Sequence, residues 1–257
     1  MLKEIIIAIQ SYYEAHKFII KHRLWKWIYI PGLIYTVLFI AGIYLFWTTS
    51  NSAIELIMLK TGVKGWLDRM HDNVLNFFFI VGQIILRLIL LLFYFSLFKY
   101  LFLIIGSPVF AYLSEKTDSI IQGRDYPFSW RQLMIDLWRA VKIAFRNMLW
   151  QTVYLVTILI LSFLPVIGWI SPVLTWFVEC YYFGFSMLDY NSERNKLSAQ
   201  ASIEFIGLHK GLAIGNGLVF YLMHLVPVAG WIFAPSYAVI AATLSLHKAQ
   251  RSQVITR

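Results

Sequence analysis

Charged residues are scarce in this 257-residue chain, where they make up 14% of the sequence, against about 25% in a typical soluble domain. Hydrophobic residues make up 60%, whereas soluble domains carry about 45–50%. A chain with so few polar residues cannot cover a water-exposed fold of this size. The composition excludes an ordinary soluble enzyme, a disordered regulator and a fibrous protein, and it predicts an integral membrane protein.

Residue patterns that carry chemistry are also missing. The single cysteine, Cys180, excludes an intrachain disulfide and a cysteine-based metal cage. The six histidines are scattered without paired ligand spacing, so no metal site is predicted. The chain has no Walker motif, no Ser-His-Asp arrangement and no paired acids, and we therefore expect neither an enzyme nor a cofactor.

The net charge of +9 has two explanations. Cytoplasmic loops of membrane proteins collect Lys and Arg, and anionic lipid head groups favour the same bias. A pathway for anions would also require positive charge. Nucleic acid is not an expected partner, because the basic residues are spread among apolar segments and not gathered on one soluble domain.

Residues 1–26 predict an amphipathic helix in the membrane interface, with its apolar residues at helical spacing and its cations toward head groups. Basic residues stand where a cleavable signal peptide would need small ones, so no such peptide is expected. The segment 27–47 has no charge and is long enough, at about 31 Å, to cross the ~30 Å hydrocarbon core. A polar loop is predicted for 48–73.

A second long helix is predicted for 74–105, with a break or bend at Gly106-Ser107-Pro108. Gln122-Gly123 signals a turn. Residues 131–148 predict a further amphipathic helix, with Leu, Trp, Val, Phe and Met on one face and the charged residues largely off it.

Two related motifs then predict helical hairpins over 150–190 and 212–247. Leu164-Pro165-Val166-Ile167-Gly168-Trp169-Ile170 returns as Val226-Pro227-Val228-Ala229-Gly230-Trp231-Ile232. In this interpretation Pro165 and Pro227 end one helix, Gly168 and Gly230 turn the chain, and Pro172 and Pro235 begin the returning helix. Arms of about 12–18 residues, or ~18–27 Å, favour half-penetrating hairpins, although tilted full spans stay possible.

The distribution of charge predicts topology. Both ends of a hairpin lie on one side of the membrane, so seventeen of the 22 Lys and Arg residues share the side of the N-terminus. The N- and C-termini are therefore expected in the cytoplasm.

The order of these features resembles the CysZ sulfate permease family, which shares a domain with the etoposide-induced proteins. The resemblance covers about residues 15–247. The matching stretches are Ser107-Pro108 through Leu113-Ser114-Glu115, Arg139-Ala140-Val141-Lys142, Leu164-Pro165-Val166-Ile167-Gly168, Leu188-Asp189-Tyr190 with Arg194, and Ala241-Ala242-Thr243.

This resemblance implies an all-α integral membrane protein with two transmembrane helices, two half-penetrating helical hairpins and amphipathic interfacial helices. It is expected to form one domain over 1–257, to assemble as a homo-oligomer and to carry sulfate inward. The sulfate motif of the family, G-L-R-R or G-I-R-R, stands here as Arg23-Leu24-Trp25-Lys26. Leu24 and Lys26 carry over, while Arg23 replaces the glycine that would let backbone N–H groups converge on an anion.

Two interpretations are open for several of the charged residues. Arg23 and Lys26, three apart on one helical face, would form either an anion entrance or a topogenic contact with lipid phosphates. Arg87, near the middle of its span, should face protein or water, either as a charge in an anion conduit or as the ion-pair partner of Glu179. Glu115, Asp189 and Arg194 are expected to be structural, with Asp189 and Arg194 fixing a loop.

The sequence therefore predicts an inner-membrane permease for sulfate or a related oxyanion, by a channel-like or ion-coupled route. The alternative is a non-transporting membrane scaffold or accessory subunit that organises lipids or a partner.

Overall fold

The computed structural model describes residues 1–60, 73–123, 129–162, 164–194 and 198–255. Side chains are described in these ranges except at 51, 53–54, 57–59, 73–93, 95–97, 133, 165–168, 192–194 and 252–255. Every regular element in these ranges is a helix: α1 Leu2–His22, α2 Trp25–Lys60, α3 Asn73–Gln122, α4 Trp130–Leu161, α5 Pro165–Arg194, α6 Ala199–Leu208, α7 Lys210–His224 and α8 Ala229–Ile255. The predicted all-helical fold is confirmed.

Three described segments are long and apolar enough to cross a membrane: Trp25–Ser50, Trp130–Leu161 and Ala229–Arg251. Helices α6 and α7, which meet at an angle of 85°, would supply a fourth if they form one broken span. The predicted span 27–47 lies inside the first segment. The span predicted within 74–105 lies in α3, where most side chains fall outside the described residues, so the number of crossings stays a prediction.

Helices α2 and α3 run further than the sequence predicts. Residues 48–60, predicted as loop, continue α2, and α3 does not break at Gly106-Ser107-Pro108. Pro108 has no N–H to offer the carbonyl of Ile104, but the Ser107 hydroxyl donates to that oxygen at 2.9 Å. Because this side chain replaces the missing backbone donor, the helix continues to Gln122. The predicted turn follows there, with Gly123 at φ 65°.

The two hairpins are present, but their turns are built differently from the prediction. Helix α4 ends at Leu161 and α5 begins with Pro165, a position where the missing N–H costs no helical bond. Gly168 and Pro172 then lie inside α5. The predicted roles of Gly168 as turn residue and Pro172 as helix start are therefore wrong.

The second turn follows the same logic. Pro227 lies between α7 and α8, and Val228 carries the left-handed backbone, with φ 62°. Gly230 is already helical, and a Cβ atom there would collide with the carbonyl oxygen of Met223. Its role is close approach between the two arms and not the turn, and Pro235, predicted to begin α8, lies inside it. Three of the four helices that form the arms are longer than predicted, since α4, α5 and α8 have 32, 30 and 27 residues, whereas α7, with 15 residues, lies within the predicted range.

Helix α7 is packed between α1, α5 and α8. A Cβ atom at Gly217 would collide with the carbonyl of Cys180 in α5, and one at Gly215 would meet Ala8 in α1. Helix α1 buries Ala8 and Ala15 in this packing. Its opposite stripe is exposed, as expected for a membrane-facing surface: Leu2, Ile6, Ile9, Tyr13 and Ile20.

Three carboxylates connect helices through side-chain contacts. The contacts join Glu4 to His209 at 2.7 Å, Glu14 to Lys248 at 2.6 Å, and Asp118 to His247 at 2.5 Å. The chain forms two compact units, residues 1–36 with 102–257 and residues 37–101. The single-domain organisation stays a prediction.

Candidate functional site

Helix α4 buries several polar side chains and exposes many large apolar ones, although Arg131, Gln132 and Lys142 are exposed as well. Its fully buried positions include Asn147 and Gln151, and Asp136 is nearly so. The opposite face exposes large apolar side chains: Trp130, Met134, Ile135, Trp138, Phe145, Leu149, Trp150 and Val153. This arrangement suits a helix surrounded by lipid whose inner face meets other polar groups. The amphipathic helix that the sequence predicts over 131–148 is present, but it does not end before the first hairpin arm and continues into it as α4.

The buried face of α4 meets α5 along what we call the polar seam, made of Arg139, Asn147 and Gln151 on α4 and Glu179, Ser186 and Asp189 on α5. Arg139 and Gln151 are twelve positions apart in the sequence, which is about 18 Å along a helix. Because α4 and α5 run antiparallel, Arg139 pairs with Asp189 at one end of the polar seam and Gln151 pairs with Glu179 at the other.

One end of the polar seam is an ion pair. Arg139 Nη2 donates to Asp189 Oδ1 at 2.8 Å, and the two side chains are 13% and 5% exposed. The hydroxyl of Ser202 in α6 donates to the same oxygen at 2.5 Å. The predicted partner of Asp189, Arg194, has a side chain outside the described residues.

The other end of the polar seam is a carboxylate shared by three helices. Glu179 accepts from Gln151 Nε2 at 2.5 Å and from the Tyr221 hydroxyl, in α7, at 3.0 Å. Sequence reasoning singled out Glu179 but missed Gln151 and Tyr221. The sequence signal that points to Gln151 is its spacing of four residues from Asn147 in an apolar stretch. Arg87 lies where side chains are not described, so its pairing with Glu179 stays a prediction.

The middle of the polar seam holds a buried amide. Asn147 accepts from Arg146 Nη1 at 3.0 Å. Its Nδ2 atom is buried and has no hydrogen-bond partner among the residues that the structure describes. Nδ2 of Asn147 can therefore donate a hydrogen bond to an acceptor that reaches it.

The predicted anion entrance is a tight turn between α1 and α2. Leu24 N–H donates to Ile19 O at 3.1 Å and Arg23 N–H donates to Ile20 O at 3.3 Å, which is the Schellman pattern of a helix end. Arg23 is in the left-handed region with φ 53°. The turn therefore forms without the family's glycine, but these two N–H groups are already used inside it.

The side chains of this turn point to different roles. Arg23 and Lys26 are exposed, whereas Leu24 is 3% exposed and anchors the turn in the core. The prediction that the two cations share a helical face is wrong, because Arg23 ends α1 and Lys26 lies in the first turn of α2. Glu115 is partly exposed on α3. His224 contacts the Tyr35 hydroxyl at 3.2 Å through Nε2, as an interior histidine should.

A helical protein with apolar outer faces and a buried polar seam belongs to the class of multi-helix integral membrane proteins. The profile of the family described as "Sulfate transporter CysZ/Etoposide-induced protein 2.4" matches residues 12–235, and the chain belongs to this family.

Several relatives are each named "Sulfate transporter CysZ". The chain is 26% identical over 189 residues to one from Pseudomonas aeruginosa, covering 73% of each chain. It is 27% identical over 233 residues to one from Pseudomonas syringae pv. tomato, covering 90% of this chain and 88% of the relative. A protein from Pseudomonas fluorescens is 24% identical over 233 residues, with 90% and 89% covered.

Proposed function

We propose that this chain is a permease that carries sulfate or a related oxyanion across the inner membrane into the cell. The observation that carries the proposal is the polar seam, because it gathers Arg139, Asn147 and Gln151 on the face of α4 that packs against α5. Polar and charged residues kept inside a membrane protein at a cost in free energy commonly mark a pathway. The names of the relatives supply the substrate class.

The topology proposed for this function places the N- and C-termini in the cytoplasm. The basis is the charge distribution, in which most Lys and Arg residues flank the predicted spans on the side of the N-terminus. We further propose that the two hairpins penetrate half of the bilayer. The 15-residue α7 supports this depth for the second hairpin, because its length of about 22 Å is shorter than the ~30 Å hydrocarbon core. We also propose that α1 contacts lipid head groups and that the protein is a homo-oligomer.

The turn at Arg23 is proposed as a weak anion entrance, with Lys26 and Arg87 as further cations near the route. Since the N–H groups of Arg23 and Leu24 are used inside the turn, side-chain charge must hold the anion there. Binding at this turn is therefore expected to weaken strongly with added salt. Calorimetry on Arg23→Gly/Trp25→Arg should show tighter sulfate binding than wild type, and Arg23→Ala/Lys26→Ala should show weaker binding. Unchanged binding in both variants would leave the turn a membrane anchor.

The function itself is tested by labelled sulfate uptake into liposomes that contain the purified protein. We expect saturable uptake above that of empty liposomes, with unlabelled sulfate competing more strongly than phosphate or chloride. Absence of uptake, together with lipid-dependent oligomerisation, would replace the permease by the scaffold.

A further inference from the structure

In the ion pair of Arg139 and Asp189, the carboxylate occupies the position on Arg139 that an anionic ligand would take. The guanidinium of Arg139 contacts one carboxylate oxygen at 2.8 Å, and Ser202 donates to that same oxygen. The three residues come from α4, α5 and α6. A guanidinium and a hydroxyl aimed at one anionic oxygen are also the donors that recognise a tetrahedral oxyanion.

A small open cavity lies beside the pair. Its lining includes Asp189, Ser186 and Tyr190, with Leu103, Ile143 and Ala144 supplying apolar surface. The cavity volume is about 10 Å³, which is room for roughly one water molecule. Because this cavity is small, we expect an oxyanion that binds Arg139 to take the place of the Asp189 carboxylate and not to bind beside it.

We propose that Arg139 and Ser202 form an oxyanion-binding site that the Asp189 carboxylate occupies as an intramolecular ligand. A transported oxyanion displaces this carboxylate. This inference rests on the proposed function. Because one anion replaces another, the buried guanidinium keeps a negatively charged partner. The exchange therefore avoids the free-energy cost of an unpaired charge in a low-dielectric interior. The displaced carboxylate turns toward the cavity, where it can be hydrated.

The site also explains why a negative residue lies in the path of an anion. A cation with no competing ligand would hold a dianion too tightly to release it, whereas conduction requires binding that is weak enough to reverse. Asp189 lowers the net affinity of Arg139 for an incoming anion, because the anion must first displace an intramolecular ligand.

The test measures thermal stability in a buffer whose anion is gluconate, with sulfate added. Asp189→Asn keeps the size of the side chain and an acceptor for Ser202, but removes the competing charge. This variant should melt below wild type without sulfate. It should reach half of its maximal sulfate-induced rise in Tm at a sulfate concentration about tenfold lower than wild type, which corresponds to about 1.4 kcal/mol in binding.

Two controls define the site. Asp118→Asn also removes a buried carboxylate, one that binds His247, and its response to sulfate should equal that of wild type. Arg139→Gln/Asp189→Asn removes both charges and should lose the enhanced response.

A response of Asp189→Asn that is no stronger than that of Asp118→Asn would overturn the proposal and leave a structural ion pair. If Asp189→Asn does not fold, Arg139→Lys decides, since it keeps the charge but loses the planar fork. Its sulfate response must then fall below that of wild type, and an unchanged response refutes the site.

These readouts report binding and not transport. If wild type takes up sulfate but Asp189→Asn shows no enhanced rise in Tm with sulfate, only the proposed binding site at Arg139 is refuted. If Asp189→Asn shows the enhanced rise but wild type takes up no sulfate, only the proposed function is refuted.

Discussion

Arg23 and Val228 hold left-handed backbone conformations that usually belong to glycine, with φ 53° and 62°. For Arg23 the surrounding Schellman hydrogen bonds fix the conformation, and its exposed side chain stays available as a cation. For Val228 the β-branched side chain makes the same region unfavourable. The backbone at Val228, in the tip of the second hairpin, is therefore strained, whereas the backbone at Arg23, after the end of α1, is stabilised by its hydrogen bonds.

Replacing Val228 by glycine should relieve that strain. We expect Val228→Gly to raise the free energy of unfolding by about 1 kcal/mol, since relief of the positive φ outweighs the entropy that glycine adds to the unfolded chain. Val226→Gly is the matched control, because Val226 lies in the same tip without a positive φ, and it should be neutral or destabilising. Thermal melting in detergent measures both, and a loss of stability in Val228→Gly alone would contradict the account.

At the residue scale the sequence indicated which polar groups are buried but not what they bind. Glu179 and Asp189 were recognised as interior or helix-end acids from their apolar surroundings. Their partners Gln151, Tyr221 and Arg139 lie 28, 42 and 50 positions away. Contacts at that separation depend on how helices pack, which no local pattern encodes.

At the scale of elements, the position of α7 depends on glycines that let backbones touch. Gly217 faces the carbonyl of Cys180, and Gly184 of α5 faces the carbonyl of Ala213. Small residues at such crossings are how membrane helices gain close packing. The interface between α5 and α7 is therefore expected to be the most sensitive to added volume.

Gly217→Ala should destabilise the protein by about 1–3 kcal/mol, because the added methyl group must push two backbones apart. Gly207→Ala is the control in α6, where a Cβ atom meets nothing within 4 Å. That variant should gain up to about 1 kcal/mol from better helix propensity. Denaturation in detergent compares the two, and equal effects would show that the close approach is not required.

The helices were predictable in kind and order, while the orientation of α4 was not. Its residues divide into the same polar and apolar faces in any environment, so periodicity alone does not say which face turns inward. In water the apolar face would be buried, whereas in lipid it is exposed. The hairpin prolines were misplaced for a similar reason, because Pro172 and Pro235 are tolerated inside helices when neighbouring groups satisfy the freed carbonyls.

At the scale of the whole molecule, the depth of the hairpins decides how the chain divides the membrane. Trp169, at the start of α5, is 88% exposed and is a better probe than Gly230, which cannot accept a side chain. In a Cys180→Ala background, a cysteine introduced by Trp169→Cys should resist an impermeant thiol reagent added from the periplasmic side.

The same cysteine should react with a membrane-permeant reagent, which shows that the thiol is available. Leu208→Cys, on the exposed surface of α6, should react only from the cytoplasmic side. Ready labelling of Trp169→Cys from the periplasm would mean that the first hairpin spans the bilayer.

In the proposed function an oxyanion crosses the membrane along the polar seam, and Asn147 lies at the middle of that path. Asn147→Leu replaces its amide by an apolar group of similar size. Thr157→Leu makes the same kind of change on the exposed face of the same helix, where Thr157 bonds only its own backbone at Val153 among the described contacts.

The decisive measurement is the initial rate of labelled sulfate uptake by proteoliposomes containing equal amounts of folded wild type, Asn147→Leu or Thr157→Leu. The account predicts that Asn147→Leu lowers the rate by about tenfold, because one hydrogen bond to a charged acceptor is worth roughly 1.5 kcal/mol or more, while Thr157→Leu matches wild type. Equal uptake by wild type and Asn147→Leu would contradict the claim that the polar seam is the route.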